Sequence, residues 1–185
     1  MLRPLTLLAF AAMTACSAPA DRLALTAAPS TLELQPLVRS AMVRTVSLPT
    51  YAAAEELAVQ SPSGLISSNQ NVLWADDPQR AITLAIADTL GDILNTDVGP
   101  DPWPFIGLPD VAVDVRVTQM LAGSDGIFRL SGQYFVGGEG IDFPNSANRF
   151  AISQPMADQE LSSIANAQAA ALLTLSEDIA RRLAR

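Results

Sequence analysis

Residues able to carry acid–base or covalent chemistry are few in this chain. Of its 185 residues none is His, all eleven cations are Arg, and Cys16 is the single cysteine. Ser-His-Asp and Cys-His nucleophilic pairs, histidine-ligated zinc and lysine Schiff bases are therefore excluded. Carboxylates remain, and a pair flanking a substrate is how glycosidases work. The adjacent pairs are Glu55-Glu56 and Asp76-Asp77. Neither stands in a motif that builds a cleft. Asp77 directly precedes Pro78, the order of a helix N-cap followed by proline in the first turn, so its carboxylate has a structural task. The residues thus offer no catalytic or metal-binding candidate, call for no cofactor, and read as a protein that is not an enzyme.

Cys16 has a different chemistry. It closes the stretch MLRPLTLLAFAAMTAC, in which Arg3 supplies a positive charge and Leu5 to Ala12 an apolar run. That run is too short to span a bilayer, which needs about 20 apolar residues, and the layout is that of a secretory signal. Met13-Thr14-Ala15-Cys16 resembles the lipobox of bacterial lipoproteins, in which the cysteine becomes the first mature residue and its thiol takes a diacylglycerol. Residues 1–15 read as signal peptide, Cys16 as the site of lipid attachment, residues 16–21 as an acylated tether and residues 22–185 as the domain. Two or three acyl chains, at about 0.8 kcal/mol per buried CH₂, hold a protein where one chain is marginal. Ser17, in place of the Asp that retains enterobacterial lipoproteins at the inner membrane, favours the periplasmic face of the outer membrane.

The formal charge is −8. With neither a basic excess nor a basic stripe, nucleic acid is excluded as a partner. Arg181, Arg182 and Arg185 cluster at the chain end, where cations complement a helix C-terminus.

The elements that would carry these features follow from periodicity. Arg22 to Thr26 reads as a strand, Ala27 to Pro36 as a loop, and Leu37 to Leu48 as one or two strand-like runs. Ala52 to Glu56 has the propensity of a helical turn. Leu57 to Gln60 and Leu65 to Leu73 form a hairpin about Ser61-Pro62-Ser63-Gly64. Ile82, Ile86, Leu90, Ile93 and Leu94 recur at three and four residues, predicting an amphipathic helix from Pro78 to about Asn95. The stretch NTDVGPDPWPFIGLPD is predicted to break any regular element. Val111, Val113, Val115 and Val117 alternate with polar residues, and Ile127 to Val136 answers across Gly123 to Gly126 as a long hairpin with one buried face. Asn148 to Ser153 reads as another strand. A last helix from about Ala157 carries Leu161, Ile164, Gln168, Leu172, Leu175, Ile179 and Leu183 as one stripe. Together these predict a single layered α/β (α+β) domain: a mixed, mostly antiparallel sheet of five to six strands with two main helices.

The order of motifs supports a resemblance. A lipobox is followed by VSLPTY (46–51), VLWADDPQRAITLAIADTLGDIL (72–94), VAVDVRVTQML (111–121), FRLSGQYFV (128–136) and AALLTLSEDIARRL (170–183). This series resembles the ABC-type transport auxiliary lipoprotein family, which includes the PqiC-like proteins. The resemblance implies a fold similar to the N-terminal domain of TolB. It also implies a non-catalytic, membrane-anchored subunit of an MCE/ABC-type system for phospholipid transport between membranes, supporting envelope integrity. The implied partners are an MCE-domain periplasmic protein with its permease and ATPase, and further copies of the chain as a homo-oligomer. A reading from a different class is a periplasmic shuttle lipoprotein that itself binds lipid, which requires an apolar cavity.

Trp103 and Phe105 stand in the Pro-rich stretch, outside any periodic pattern. Two readings are open for them: exposed anchors for a protein partner or the membrane, or cover for a sheet edge. Trp74 and Tyr51 read as structural.

Overall fold

Period-two alternation and three/four-residue apolar spacing resolve into one sheet with two long helices on a single face. The computed structural model describes residues 21–185; the expected signal peptide, Cys16 and the expected tether up to residue 20 lie outside the described residues. In chain order the elements are β1 (Asp21–Leu23), β2 (Ser40–Val43), the one-turn α1 (Thr50–Ala53), β3 (Glu56–Gln60), β4 (Ile66–Trp74), α2 (Pro78–Leu94), β5 (Asp97–Pro100), β6 (Val111–Ala122), β7 (Ile127–Gly138), β8 (Ser146–Pro155) and α3 (Leu161–Arg182). The predicted α+β class holds, with eight strands in place of five to six.

Strand β6 is shared by most of the sheet. One edge pairs antiparallel with β7 from Val111↔Gly138 to Ala122↔Phe128. The other edge is divided: β2 pairs parallel at its start (Ala41↔Val111), Ser47 bridges Arg116, and β3 meets its end at Val59↔Ala122. Beyond these lie β5 parallel to β2, β4 antiparallel to β3, β1 parallel to β4, and β8 antiparallel to β7. The sheet is mixed as predicted; its long ladders are antiparallel, and several short ones are parallel.

Val111, Val113, Val115 and Val117 point to the helices and are buried, as are Phe128, Leu130, Tyr134 and Val136 of β7. Against them pack Ile82, Ile86, Leu90, Ile93 and Leu94 of α2 and Ile164, Leu172, Leu175 and Ile179 of α3. Each such side chain contributes roughly 1.5–3 kcal/mol by leaving water. Trp74 and Tyr51 are structural: Trp74 lies in the core, and the Tyr51 hydroxyl accepts the Met120 N–H at 3.3 Å. The Tyr134 hydroxyl crosses the layer to donate to Asp178 at 2.9 Å, and desolvation together with that bond raises its pKa.

The helix ends follow local chemistry. Asp77 caps α2 by accepting the Arg80 N–H at 2.8 Å, and Asn95 closes it in the left-handed region with φ 46°. Helix α3 begins at Leu161, four residues after the predicted start, because Asp158 instead turns the chain locally by accepting the Glu160 N–H at 3.0 Å. The C-terminus fastens to a distant segment. Leu37 N–H donates to Leu183 O at 2.8 Å, Arg185 N–H to Gln35 O at 3.1 Å, and Ser30 Oγ to Glu177 Oε1 at 3.0 Å.

Several predicted elements are redrawn. The strand over Arg22 to Thr26 is only Asp21–Leu23, because its partner β4 stops at Trp74 and Ala24 onward has no ladder to join. Within 37–48 only Ser40–Val43 is a strand. At Val46 the backbone is taken by α2 instead: its N–H goes to Thr83 Oγ1 at 2.9 Å and its carbonyl accepts from Gln79 Nε2 at 3.1 Å. The helical turn falls on Thr50–Ala53, ahead of the predicted Ala52 to Glu56, and Glu56 opens β3. The Pro-rich stretch does hold a regular element, β5. Pro100 is tolerated because it closes an edge strand.

One glycine in the long hairpin is required by packing. The register slips between Val117↔Gly132 and Gln119↔Ser131, so Thr118 is the extra residue of a bulge. A Cβ on Gly132 would sit 2.2 Å from Arg116 O and 2.9 Å from the Phe150 ring. Gly132→Ala is expected to cost about 1–3 kcal/mol through overpacking, read as a lower urea midpoint at unchanged m.

At the opposite end of the hairpin, the hydrogen bond from the Arg129 guanidinium holds the Asp125 carboxyl down to about 2, below its ordinary 3.8. Since the folded value lies below the unfolded one, the pair's stabilisation is full above about pH 4 and is lost as pH falls through 2. A carboxyl-carbon NMR titration should find the Asp125 midpoint near 2, and Arg129→Ala should return it toward 3.8.

Candidate functional site

Three of the four paired carboxylates, Glu55, Asp76 and Asp77, line one cleft of about 420 Å³ beside Arg22 and Trp74, and each of the three has a structural partner. Glu55 accepts from Arg22 at 2.9 Å, Asp76 pairs with Arg80, and Asp77 is a cap. Among the described residues no group of three His, Cys, Asp or Glu could hold a metal ion, and no helix is long and apolar enough to cross a membrane. Cys16 lies outside the described residues.

The loop between β5 and β6 carries the other singled-out residues. Asp101 N–H donates to Val43 O at 2.9 Å, fixing its start. Trp103 and Pro104 then fold back over the edge strand: a Cβ on Gly99 would meet Pro104 Cδ at 2.9 Å and the Trp103 ring at 3.3 Å. Trp103 is half-buried in this way, and Phe105 stands edge-on to it with centroids 5.0 Å apart and planes at 61°. Phe105 is 53% exposed, and beyond it Ile106 and Leu108 project into solvent. Trp103 therefore covers a sheet edge while Phe105 faces outward. Ile106 and Leu108 escaped the sequence reading, although FIGL inside a proline-rich stretch was a signal for them.

A buried carboxylate secures the root of this loop. Asp110 is 7% exposed; its Oδ2 accepts the Arg39 N–H at 2.8 Å, its N–H donates to Ser40 Oγ at 2.9 Å, and its carbonyl accepts from Glu139 and Gly140. It thus joins the starts of β2 and β6 to the turn after β7, which brings Gly140 against the Leu108 and Pro109 carbonyls, with the exposed Ile141 next in the chain. Phe105, Ile106, Leu108 and Ile141 form an apolar extremity on a hydrogen-bonded base.

Two further surfaces are notable. The face of β6 and β7 away from the helices carries ion pairs, Arg44 with Glu139 and Arg116 with Asp114, the Arg116 guanidinium lying 5.1 Å from the Phe135 ring centroid. A groove of about 490 Å³ runs beside them, lined by both charge signs. At the far end of the sheet the β3–β4 turn exposes Leu65 and Ile66, at 71% and 44%.

Comparison with known proteins adds the family. A family model described as the ABC-type transport auxiliary lipoprotein component matches residues 23–180. The fold is similar to the crystal structure of an uncharacterized protein, at TM-score 0.71 and 21% identity over 86% of this chain and 99% of that one. It is also similar to a Xanthomonas campestris protein of the DUF330 family model, at TM-score 0.69 and 11% identity over 87% and 94%. No curated protein matches the chain.

Removing the Asp110 carboxylate leaves the part-buried Arg39 N–H without its charged acceptor. Asp110→Ala should lower stability by about 1–3 kcal/mol in urea unfolding, and Asp110→Asn, which keeps an acceptor oxygen, by less.

Proposed function

This chain belongs to the ABC-type transport auxiliary lipoprotein component family, and on that premise we propose that it is the anchored auxiliary subunit of an MCE-type system moving phospholipid between the two membranes. The observation that carries the reading is the family match over residues 23–180, on a chain whose Cys16 stands in a lipobox-like sequence. Acylated at Cys16, the domain faces the periplasm from the outer membrane. It contributes binding surface, with no chemical step of its own. Tethering raises the effective concentration of that surface beside any partner in the same compartment.

Its partners are an MCE-domain protein with a permease and an ATPase, and further copies of the chain. Phe105, supported by Trp103, supplies an apolar contact for a protein partner or the membrane. Aromatic anchors on a rigid base are the kind of residue on which binding energy concentrates. The shuttle alternative finds less support. The helix–sheet layer is filled by aliphatic side chains, and the groove beside β7, where Phe135, Val136 and Ala147 stand among Arg44, Asp114 and Glu139, is open to solvent, whereas a carried acyl chain needs an enclosed apolar cavity.

A mild-detergent pull-down from native membranes checks the assignment. The acylated protein should recover an MCE-domain protein with its permease or ATPase, and Cys16→Ala should lose them. Phe105→Ala should weaken that recovery with unchanged thermal stability. Co-purified phospholipid without any such partner would replace the subunit by the shuttle.

A further inference from the structure

We propose that the tip of the β3–β4 hairpin, Leu65 and Ile66, enters the surface of the same bilayer that holds the acyl anchor, while the Phe105–Leu108 extremity faces away from it. This rests on the lipoprotein reading of Cys16 and adds to it an orientation of the domain.

The first argument is strand direction. β1 pairs parallel with β4, Asp21 opposite Val72. In a parallel pair the chain preceding Asp21 arrives from the side on which β4 begins, and β4 begins at Ile66, just after the turn. Six residues of β4 separate Val72 from Ile66, about 20 Å at strand rise. Five peptide units separate Cys16 from Asp21, a reach of at most roughly 18 Å. A tether extended in that direction has the reach to bring the anchor close to the level of the hairpin tip.

The second argument is charge. From Leu57 to Ala75 no residue is ionisable, in a chain whose formal charge is −8. Residues 65–71 are exposed and read LISSNQN, two aliphatic side chains at the tip followed by hydroxyls and amides. Such a segment meets an anionic headgroup layer without the repulsion that the acidic remainder of the domain carries. The loop at the other extremity has Asp97, Asp101, Asp110 and Glu139 near its base, while the acidic groups at the hairpin end are Asp125, paired with Arg129, and Asp158 and Glu160 before α3.

The third argument is distance. The hairpin tip lies past the end of β6, since Val59 pairs with Ala122, and the Pro-rich loop leads into the start of β6 at Val111. Eleven residues of strand, about 36 Å, separate those levels. A domain standing on its hairpin presents Phe105, Ile106 and Leu108 to the periplasm, where a protein partner meets them.

The chain's single cysteine makes the test direct. The processed, membrane-extracted protein carrying Leu65→Cys or Ile106→Cys is labelled with a thiol-reactive, polarity-sensitive fluorophore and reconstituted into phosphatidylethanolamine–phosphatidylglycerol vesicles. Intact mass should show an acylated chain with one dye. The dye at position 65 should then gain intensity, shift to the blue and be quenched by spin-labelled lipid, whereas the dye at position 106 should report water. One dye per chain with position 65 unresponsive, or with position 106 responding in its place, overturns the orientation and leaves the lipoprotein reading intact. A second dye on an unmodified Cys16 overturns the anchor, and the inference with it.

Discussion

Everything in this domain is referred to one strand. β6 has its valine face under both helices, one edge fully occupied by β7, and its other edge divided between β2 and β3. A strand loaded on both edges and one face has no freedom to slip, because a shift by one residue would turn Val111, Val113, Val115 and Val117 toward water. The bulge at Thr118 lets a single strand serve both ends of the sheet. It adds twist between the part that faces β2 and the part that faces β3, and the absence of a side chain at Gly132 makes room for it.

The sequence was most readable where periodicity is long. The β6–β7 hairpin, α2 and α3 each repeat their pattern over ten residues or more, enough for the apolar face to be recognised before any partner is known. Elements of three or four residues lack that redundancy. β5 exists because β2 offers it an edge, and no local property of DVGP announces it; β1 was legible as a strand, but only the end of β4 tells where it stops. Proline compounded the difficulty at β5, since Pro100 argues against a strand in general and only its place at an edge permits one. Val46 shows a related effect: its backbone bonds to Thr83 and Gln79, partners more than thirty residues away. The apolar extremity was half legible. Trp103 and Phe105 stood out by type, yet only the close approach at Gly99 separates the covering ring from the projecting one. Cys16 is the reverse case, read from its neighbours in sequence and lying outside the described residues.

Charge in this protein is local in its effects. Arg22 with Glu55, Arg80 with Asp76, Arg129 with Asp125 and Arg181 with Glu177 are surface pairs of the kind that contributes little to stability, typically 0–1 kcal/mol. Their value is in what they leave uncovered. The exposed large hydrophobes collect at two ends of the sheet, Leu65 and Ile66 at one and Phe105, Ile106 and Leu108 at the other.

The fastening of the last residues to the segment around Gln35 has a kinetic meaning. The Ser30–Glu177 bond alone joins residues 147 positions apart, and β2 finds β5 and β6 only after the intervening hairpin and helix have been made. Contacts of such long sequence separation must pay their loop-closure entropy before they return any stabilisation, which places this topology among slow folders. A chain emerging from its N-terminus therefore stays without this clasp until residues 177–185 are free.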